Sequence, residues 1–233
     1  IIICFMFSDT HFHFNTIMSR NDVDGSEILT QLANRDCFFA MDIGTRCEDL
    51  KNRIEVINNS IKNIKNLDLA NKIQKMIFYS AGIWPDTESI KNRFDVVEKL
   101  KKSIENSDVK IIALGECGLD HHWNPSGVDE RTQGDFDSQM YLAEKELFCM
   151  QLEYAKSLNL PVIIHSRDAF EDTLDCIKNV GYHNGIIHCY SYGLEEAEAF
   201  LDLGWHISFS GSITYTKKTK LQEMKELLCY VPE

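Results

Sequence analysis

Apolar residues occur along this chain in two alternating patterns. The first is the short continuous run: IIICFMF (1–7), CFFAMDIGT (37–45), MIFYSAGIWP (76–85), VKIIALGECGLD (109–120), LPVIIHSRD (160–168), GIIHCYSYG (185–193) and WHISFSGSITY (205–215). Runs of this kind, closed by glycine, proline or polar residues, predict strands buried on both faces. The second is a stripe with intervals of three and four, as at Leu50, Ile54, Ile57, Ile61 and Ile64, or at Ile90, Phe94, Val97, Leu100 and Ile104. Such spacing predicts helices that cover a sheet. Further helices are expected over 27–35, along Leu147, Met150, Tyr154 and Leu158, and over 169–180, 194–203 and 220–230. Asp168 stands where it could cap the helix at 169–180, which Gly181 ends. Polar loops are expected at 15–24 and at 120–138, the latter long enough to suggest a functional role.

Strand and helix thus alternate seven times, joined mostly by short turns. This order predicts a parallel sheet with helices outside it. The expected fold is α/β, a TIM-type (β/α)8 barrel with seven βα units visible and the eighth strand absent from this chain, forming one domain over residues 1–233. The chain stops at Val231-Pro232-Glu233, where an eighth strand is due, so the natural chain is expected to continue.

Composition narrows the picture further. With 44% hydrophobic and 26% charged residues, the sequence is that of an ordinary globular protein. The opening apolar run is too short to span a bilayer and has no basic segment before it, so no membrane association is expected. The eight cysteines are scattered without any C-x-x-C pair, which predicts reduced thiols and a cytoplasmic setting. A net charge of −12 opposes loose binding to nucleic acid, so a polyanionic substrate would have to be received by metal ions and a few local cations.

The candidate chemistry lies where polar residues interrupt strand ends. His11 and His13 close the first run. On a strand, residues i and i+2 stand on one face about 7 Å apart, close enough to share a metal ion. Glu116 falls on the fourth strand, His165 on the fifth and His188 on the sixth. In barrels of this type the C-terminal strand ends form the mouth of the site. Four imidazoles and a carboxylate there would make a dinuclear centre, with nitrogen and oxygen donors suited to Zn, Mn or Co, and to Mg where water fills several positions. Individually, each residue has a bland reading, as a buried histidine bonded to a carbonyl or a structural ion-pair partner.

The segments DTHFHF, GECGLD, PVIIHSRDAF and IIHCYS, in this order, resemble the TatD family of metal-dependent hydrolases among the amidohydrolase-like TIM barrels. The resemblance runs from Asp9 to the end of the chain. It implies that His11 and His13 bind one metal, that Glu116 bridges two divalent ions and, with His165, belongs to the catalytic set, and that His165 and His188 bind the second. It further implies a divalent-metal-dependent deoxyribonuclease that cleaves phosphodiester bonds, often exonucleolytically; single-stranded DNA ends are the expected substrate, and no obligate protein partner is evident in the sequence. Family members usually carry an aspartate on the eighth strand, which this sequence does not reach. Trp84 stands where a histidine is common, and Tyr192 where a glycine is.

Substrate contacts are expected from Asp120, which would orient a ligand histidine or touch substrate unless it is simply a turn residue, and from Arg167, whose guanidinium suits a phosphate unless it pairs with a nearby acid such as Asp168. Lys217 and Lys218, where the seventh strand meets its helix, are further candidates, although a solvated charge run is the commoner case. His121, His122 and Trp123 open the long loop and could stack on a base, although an aromatic gripping the barrel rim is the commoner case. The rival readings are a hydrolase of small amides, esters or lactones and a non-catalytic binding protein that retains the fold.

Overall fold

The structure, a computed structural model, describes residues 6–122 and 137–232. The beginning of the first apolar run, Trp123 and most of the long loop lie outside the described residues. Two compact units are present: one reaches to Gly82 and includes Lys99–Ile112, and the other comprises Ile83–Glu98 and the chain from Ala113 onward.

The first unit contains β1 (Phe7–Phe12), α1 (Phe14–Asn21), α2 (Gly25–Asn34), β2 (Cys37–Asp42), α3 (Leu50–Lys62), α4 (Leu67–Met76) and β3 (Ile77–Ala81). β1 pairs with β2 and β2 with β3, both parallel, with Phe12 opposite Asp42 and Asp42 opposite Tyr79. Phe14, Leu29, Ala40, Leu50, Ile57 and Ile73 are fully buried and form its core. Local signals start two of the helices: the Asp24 carboxylate accepts from Ser26 N at 2.7 Å, and the Asn66 side chain from Leu69 N at 3.1 Å.

One expectation fails in this unit, and one helix lies where none was expected. Residues 15–24 are not a loop: most of them form α1, because Phe14 is buried and its amide donates to Asp42 Oδ1 at 3.0 Å, a long-range anchor with no local periodicity to announce it. The segment after α3 holds a further helix, α4, whose inward residues are only Ile73 and Met76.

The second unit contains α5 (Thr87–Lys91), the start of α6 (Arg93–Glu105), β4 (Ala113–Asp120), α7 (Ser138–Leu158), β5 (Val162–Arg167), α8 (Phe170–Val180), β6 (Gly185–His188), α9 (Leu194–Asp202), β7 (His206–Ile207) and α10 (Leu221–Tyr230). The stripe from Ile90 to Ile104 is therefore two helices, broken at Asn92, whose side chain donates to Glu88 O at 3.0 Å. β4, β5, β6 and β7 pair in chain order, all parallel. Leu114, Leu119, Phe148, Leu152, Ile164, Phe200 and Trp205 fill the core. Parallel strands separated by helices, seven in order among the described residues, give the TIM-type (β/α) barrel class.

β7 is much shorter than the expected 205–215. After Ile207 the chain makes one more backbone bond to β6, Ser208 N to Ile187 O at 3.0 Å, and then turns into a 3-10 segment at Gly211–Tyr215. Ser210 Oγ accepts from Ser212 N at 3.2 Å there, so hydroxyls close to the backbone replace the sheet ladder.

Candidate metal centre

In the first unit, His11 lies near the end of β1 and His13 occupies the N-cap position of α1. Their Nε2 atoms lie 3.3 Å apart. Two imidazole nitrogens at about 2.0–2.1 Å from a tetrahedral ion stand about 3.3–3.4 Å from each other, so this pair already has the bite of a chelating ligand. His13 Nδ1 is 3.2 Å from Ile43 O, a contact in which Nδ1 carries the hydrogen and Nε2 is left as the donor atom toward a cation. The chain behind His13 is held by Asp42. Its Oδ1 accepts from Phe14 N, and its Oδ2 is paired at 2.7 Å with the buried guanidinium of Arg53.

In the second unit, Glu116 and Asp120 both lie on the fully buried strand β4, and His165 faces them from β5. Glu116 Oε1 is 3.0 Å from His165 Nδ1, and Asp120 Oδ2 is 2.9 Å from His165 Nε2. With a carboxylate at each ring nitrogen, both nitrogens must donate, so the ring is an imidazolium in the absence of metal. Burial opposes that charge, but the two carboxylate hydrogen bonds outweigh it and push the His165 pKa up to about 9. His188, the last residue of β6, is the register partner of His165. Both residues are half-buried. The Trp84 indole meets the His165 ring edge-on, with centroids 5.6 Å apart.

Gly118 is what allows β4 to lie this close to β5. Its φ is +146°, and a Cβ added there would collide with the carbonyl oxygen of His165. Asp120 is fixed in turn by Glu144, a buried residue of α7 whose Oε1 accepts from Asp120 N at 2.7 Å.

The remaining sequence candidates are more peripheral. Arg167 is exposed at the end of β5, opposite Asp120 in register, and its carbonyl accepts from His121 N at 2.9 Å. Lys217 and Lys218 are exposed. Lys217 lines an open groove of about 710 Å³ with Tyr192, Glu195, Lys220 and Met224. Asp168 does not cap α8, whose N-cap residue is Ala169 without a side-chain cap bond. It adopts a left-handed φ of 52°, and its Oδ2 lies 2.7 Å from His122 Nδ1 instead. Tyr192 ties down the turn between β5 and α8, since its hydroxyl is 2.8 Å from Ser166 Oγ and accepts from Ala169 N at 3.1 Å. Sequence reasoning missed Glu144 and the pairing of His122 with Asp168. Glu144 falls three residues before Leu147, on the buried face of α7, so a charged side chain in line with the apolar stripe was the signal to find it, whereas no local signal marks the pairing.

Parallel strands alternating with helices, with imidazoles and carboxylates at their C-terminal ends, define the class, a (β/α)-barrel protein. The chain belongs to the family described as TatD related DNase, whose model matches residues 8–229. Relatives include a metal-dependent hydrolase of Bacillus subtilis, YabD, 36% identical over 117 residues that make up 49% of this chain and 41% of that protein. A putative deoxyribonuclease TATDN1 homolog of Enterocytozoon bieneusi is 36% identical over 43% of this chain and 31% of its own length. These matches span less than half of either relative. Among solved structures, the TatD homolog YjjV of Escherichia coli superposes with a TM-score of 0.70 at 25% identity, covering 97% of this chain and 75% of that one.

Proposed function

We propose that the protein is a divalent-metal-dependent hydrolase that cleaves phosphodiester bonds of DNA from single-stranded ends. In this reading His11 and His13 hold one cation, His165 and His188 the other, and Glu116 both. The donor chemistry fits: neutral imidazoles and a carboxylate, with no thiolate, suit Zn, Mn or Co. When bound, such ions lower the pKa of a water and neutralise charge on phosphate oxygens. The observation that carries the reading is His165, a strand-end imidazole held between Glu116 and Asp120 and in register with His188. Asp120 orients that ring, while Arg167, Lys217 and Lys218 offer cations for the nucleic-acid backbone on an otherwise acidic protein. The family description and the name of the Enterocytozoon relative support DNA over other esters. Among the described residues no helix is long and apolar enough to cross a membrane. All seven described cysteines are free thiols, in keeping with a cytoplasmic setting.

The test is a 3′- or 5′-labelled single-stranded oligonucleotide incubated with the purified protein and Mg²⁺ or Mn²⁺. Progressive shortening is expected, abolished by a chelator and by His165→Ala. Turnover of lactones, esters or amides without any cleavage of DNA would overturn the substrate assignment, and metal uptake without turnover of any of these would overturn the enzymatic one.

A further inference from the structure

Beyond the proposed metal ligands, the same strand ends carry a second histidine–carboxylate pair. His122 Nδ1 lies 2.7 Å from Asp168 Oδ2, two residues past β4 on one side and one residue past β5 on the other. The pair is built into the backbone. His122 N donates to Asp120 Oδ1 at 3.0 Å, and the other oxygen of that carboxylate is the one that holds His165. The neighbouring His121 N donates to Arg167 O, so the two chain segments run together beyond the sheet. Asp168 reaches His122 from a left-handed backbone conformation that few side chains other than Asp and Asn adopt readily. An exposed ion pair adds little stability, which leaves fold stability a poor reason for this arrangement.

The chemistry of the pair follows from its geometry. A carboxylate at Nδ1 fixes the hydrogen on that nitrogen and turns Nε2 outward as the exchanging position. The His122 side chain is 36% exposed, so the ring is in part open to solvent. Arg167, exposed at the end of β5 and next to Asp168 in the chain, is a cation suited to a phosphate beside this pair.

We propose that His122 is the proton donor to the leaving group, with Asp168 as its positioning residue. The inference rests on the phosphodiesterase reading above. As water oxygen forms the new bond to phosphorus, the bond from phosphorus to the ester oxygen breaks. Its electron pair stays on that oxygen, which takes the proton from His122 Nε2. Solvent returns a proton to the imidazole and receives the one released by the attacking water, so the sum is hydrolysis.

A donor of this kind matters only when the leaving group needs a proton. The experiment compares wild type, His122→Ala and Asp168→Asn with Mn²⁺ on two substrates, the thymidine dinucleotide and the p-nitrophenyl ester of thymidine 5′-phosphate, whose leaving anion is stable unprotonated. His122→Ala is expected to lower kcat on the dinucleotide by about 100-fold or more, while kcat on the nitrophenyl ester stays within about threefold. Asp168→Asn is expected to give a smaller loss with the same selectivity. Nitrogen-15 spectra of the imidazoles, read without any turnover, should show the Nδ1–H tautomer for neutral His122 in wild type and a mixture in Asp168→Asn. Equal losses on both substrates, or an Nε2–H tautomer in the wild type, would overturn the role of His122 while leaving the nuclease reading intact. A wild type inert on both substrates would overturn the nuclease reading, and this role with it.

Discussion

Asp120 Oδ2 lies 2.9 Å from His165 Nε2, and the opposite nitrogen of the same ring lies 3.0 Å from Glu116 Oε1. Burial pulls the His165 pKa down, yet the two carboxylates prevail and raise it from 6.5 to about 9. In metal-free protein a raised folded-state pKa means that the charged ring stabilises the fold. That contribution is fully present below pH 6.5 and disappears as pH rises through 9, and its upper bound is on the order of 3 kcal/mol. Urea denaturation of chelator-treated protein should show stability falling between about pH 6.5 and 9, with a much flatter profile in His165→Gln. Identical slopes in the two proteins would contradict the assignment.

Metal binding should itself be visible as stability. An ion bound only by the folded state at about 100 times its Kd adds roughly 2.7 kcal/mol. Thermal melts with increasing Mn²⁺ should therefore move upward in wild type. His13→Ala removes half of the 3.3 Å imidazole pair and should flatten that response. His183→Ala, at a position with no role in the site, should leave it unchanged.

The approach of β4 to β5 makes Gly118 less replaceable than Gly181. An alanine Cβ at Gly181 has open space and meets only the cost of a left-handed φ, about 1–2 kcal/mol. At Gly118 the same atom strikes the His165 carbonyl and must push the strand that carries His165. Gly118→Ala is expected to cost at least about 1–3 kcal/mol more than Gly181→Ala in urea midpoints and to abolish metal-dependent activity. Comparable stability and activity in the two variants would show that the strands can part without consequence.

Some of this order is legible in the sequence and some is not, for a physical reason. GECGLD and VIIHSR are apolar strands interrupted by charged or imidazole side chains, so both the element and its unusual residues stand out locally, and the structure places Glu116, Asp120 and His165 together. The stripe of α3 is a weaker guide. Apolar spacing points to Leu50, Ile54, Ile57, Ile61 and Ile64, whereas the buried face is Leu50, Arg53, Ile57 and Ser60. Hydrophobic periodicity cannot register an arginine turned inward, because what makes its burial tolerable is a set of partners outside the helix, at Asp49, Asp42 and Ser80. The same holds for α1, anchored by Asp42, and for Asp168, whose position suits a helix cap but whose carboxylate is taken by His122 instead. The seventh strand is shorter than its apolar run because Ser210, which looks tolerable on a pleat, accepts from Ser212 N and caps a 3-10 segment instead.

Arg53 is the sharpest test of that hidden order. Its guanidinium donates to Asp42 Oδ2 at 2.7 Å, Asp49 Oδ1 at 2.9 Å, Asp42 O at 3.1 Å and Ser80 O at 2.7 Å, so one side chain joins α3 to the ends of β2 and β3. Asp42 in turn holds Phe14 N, directly after His13. Replacing Arg53 by methionine keeps most of the volume but leaves the Asp42 carboxylate buried without its cation, and breaking a buried pair in this way costs about 3–5 kcal/mol. Urea denaturation of Arg53→Met should show a loss of that size at neutral pH. Adding Asp42→Asn removes the stranded charge while keeping an acceptor for Phe14 N, so the double variant should recover part of the loss. Metal affinity should follow the same order, lowest in the single variant, because the chain behind His13 is released. Should the double variant be no more stable than Arg53→Met, the cost would lie in the lost hydrogen bonds to Ser80 O and Asp49 and not in the uncompensated charge.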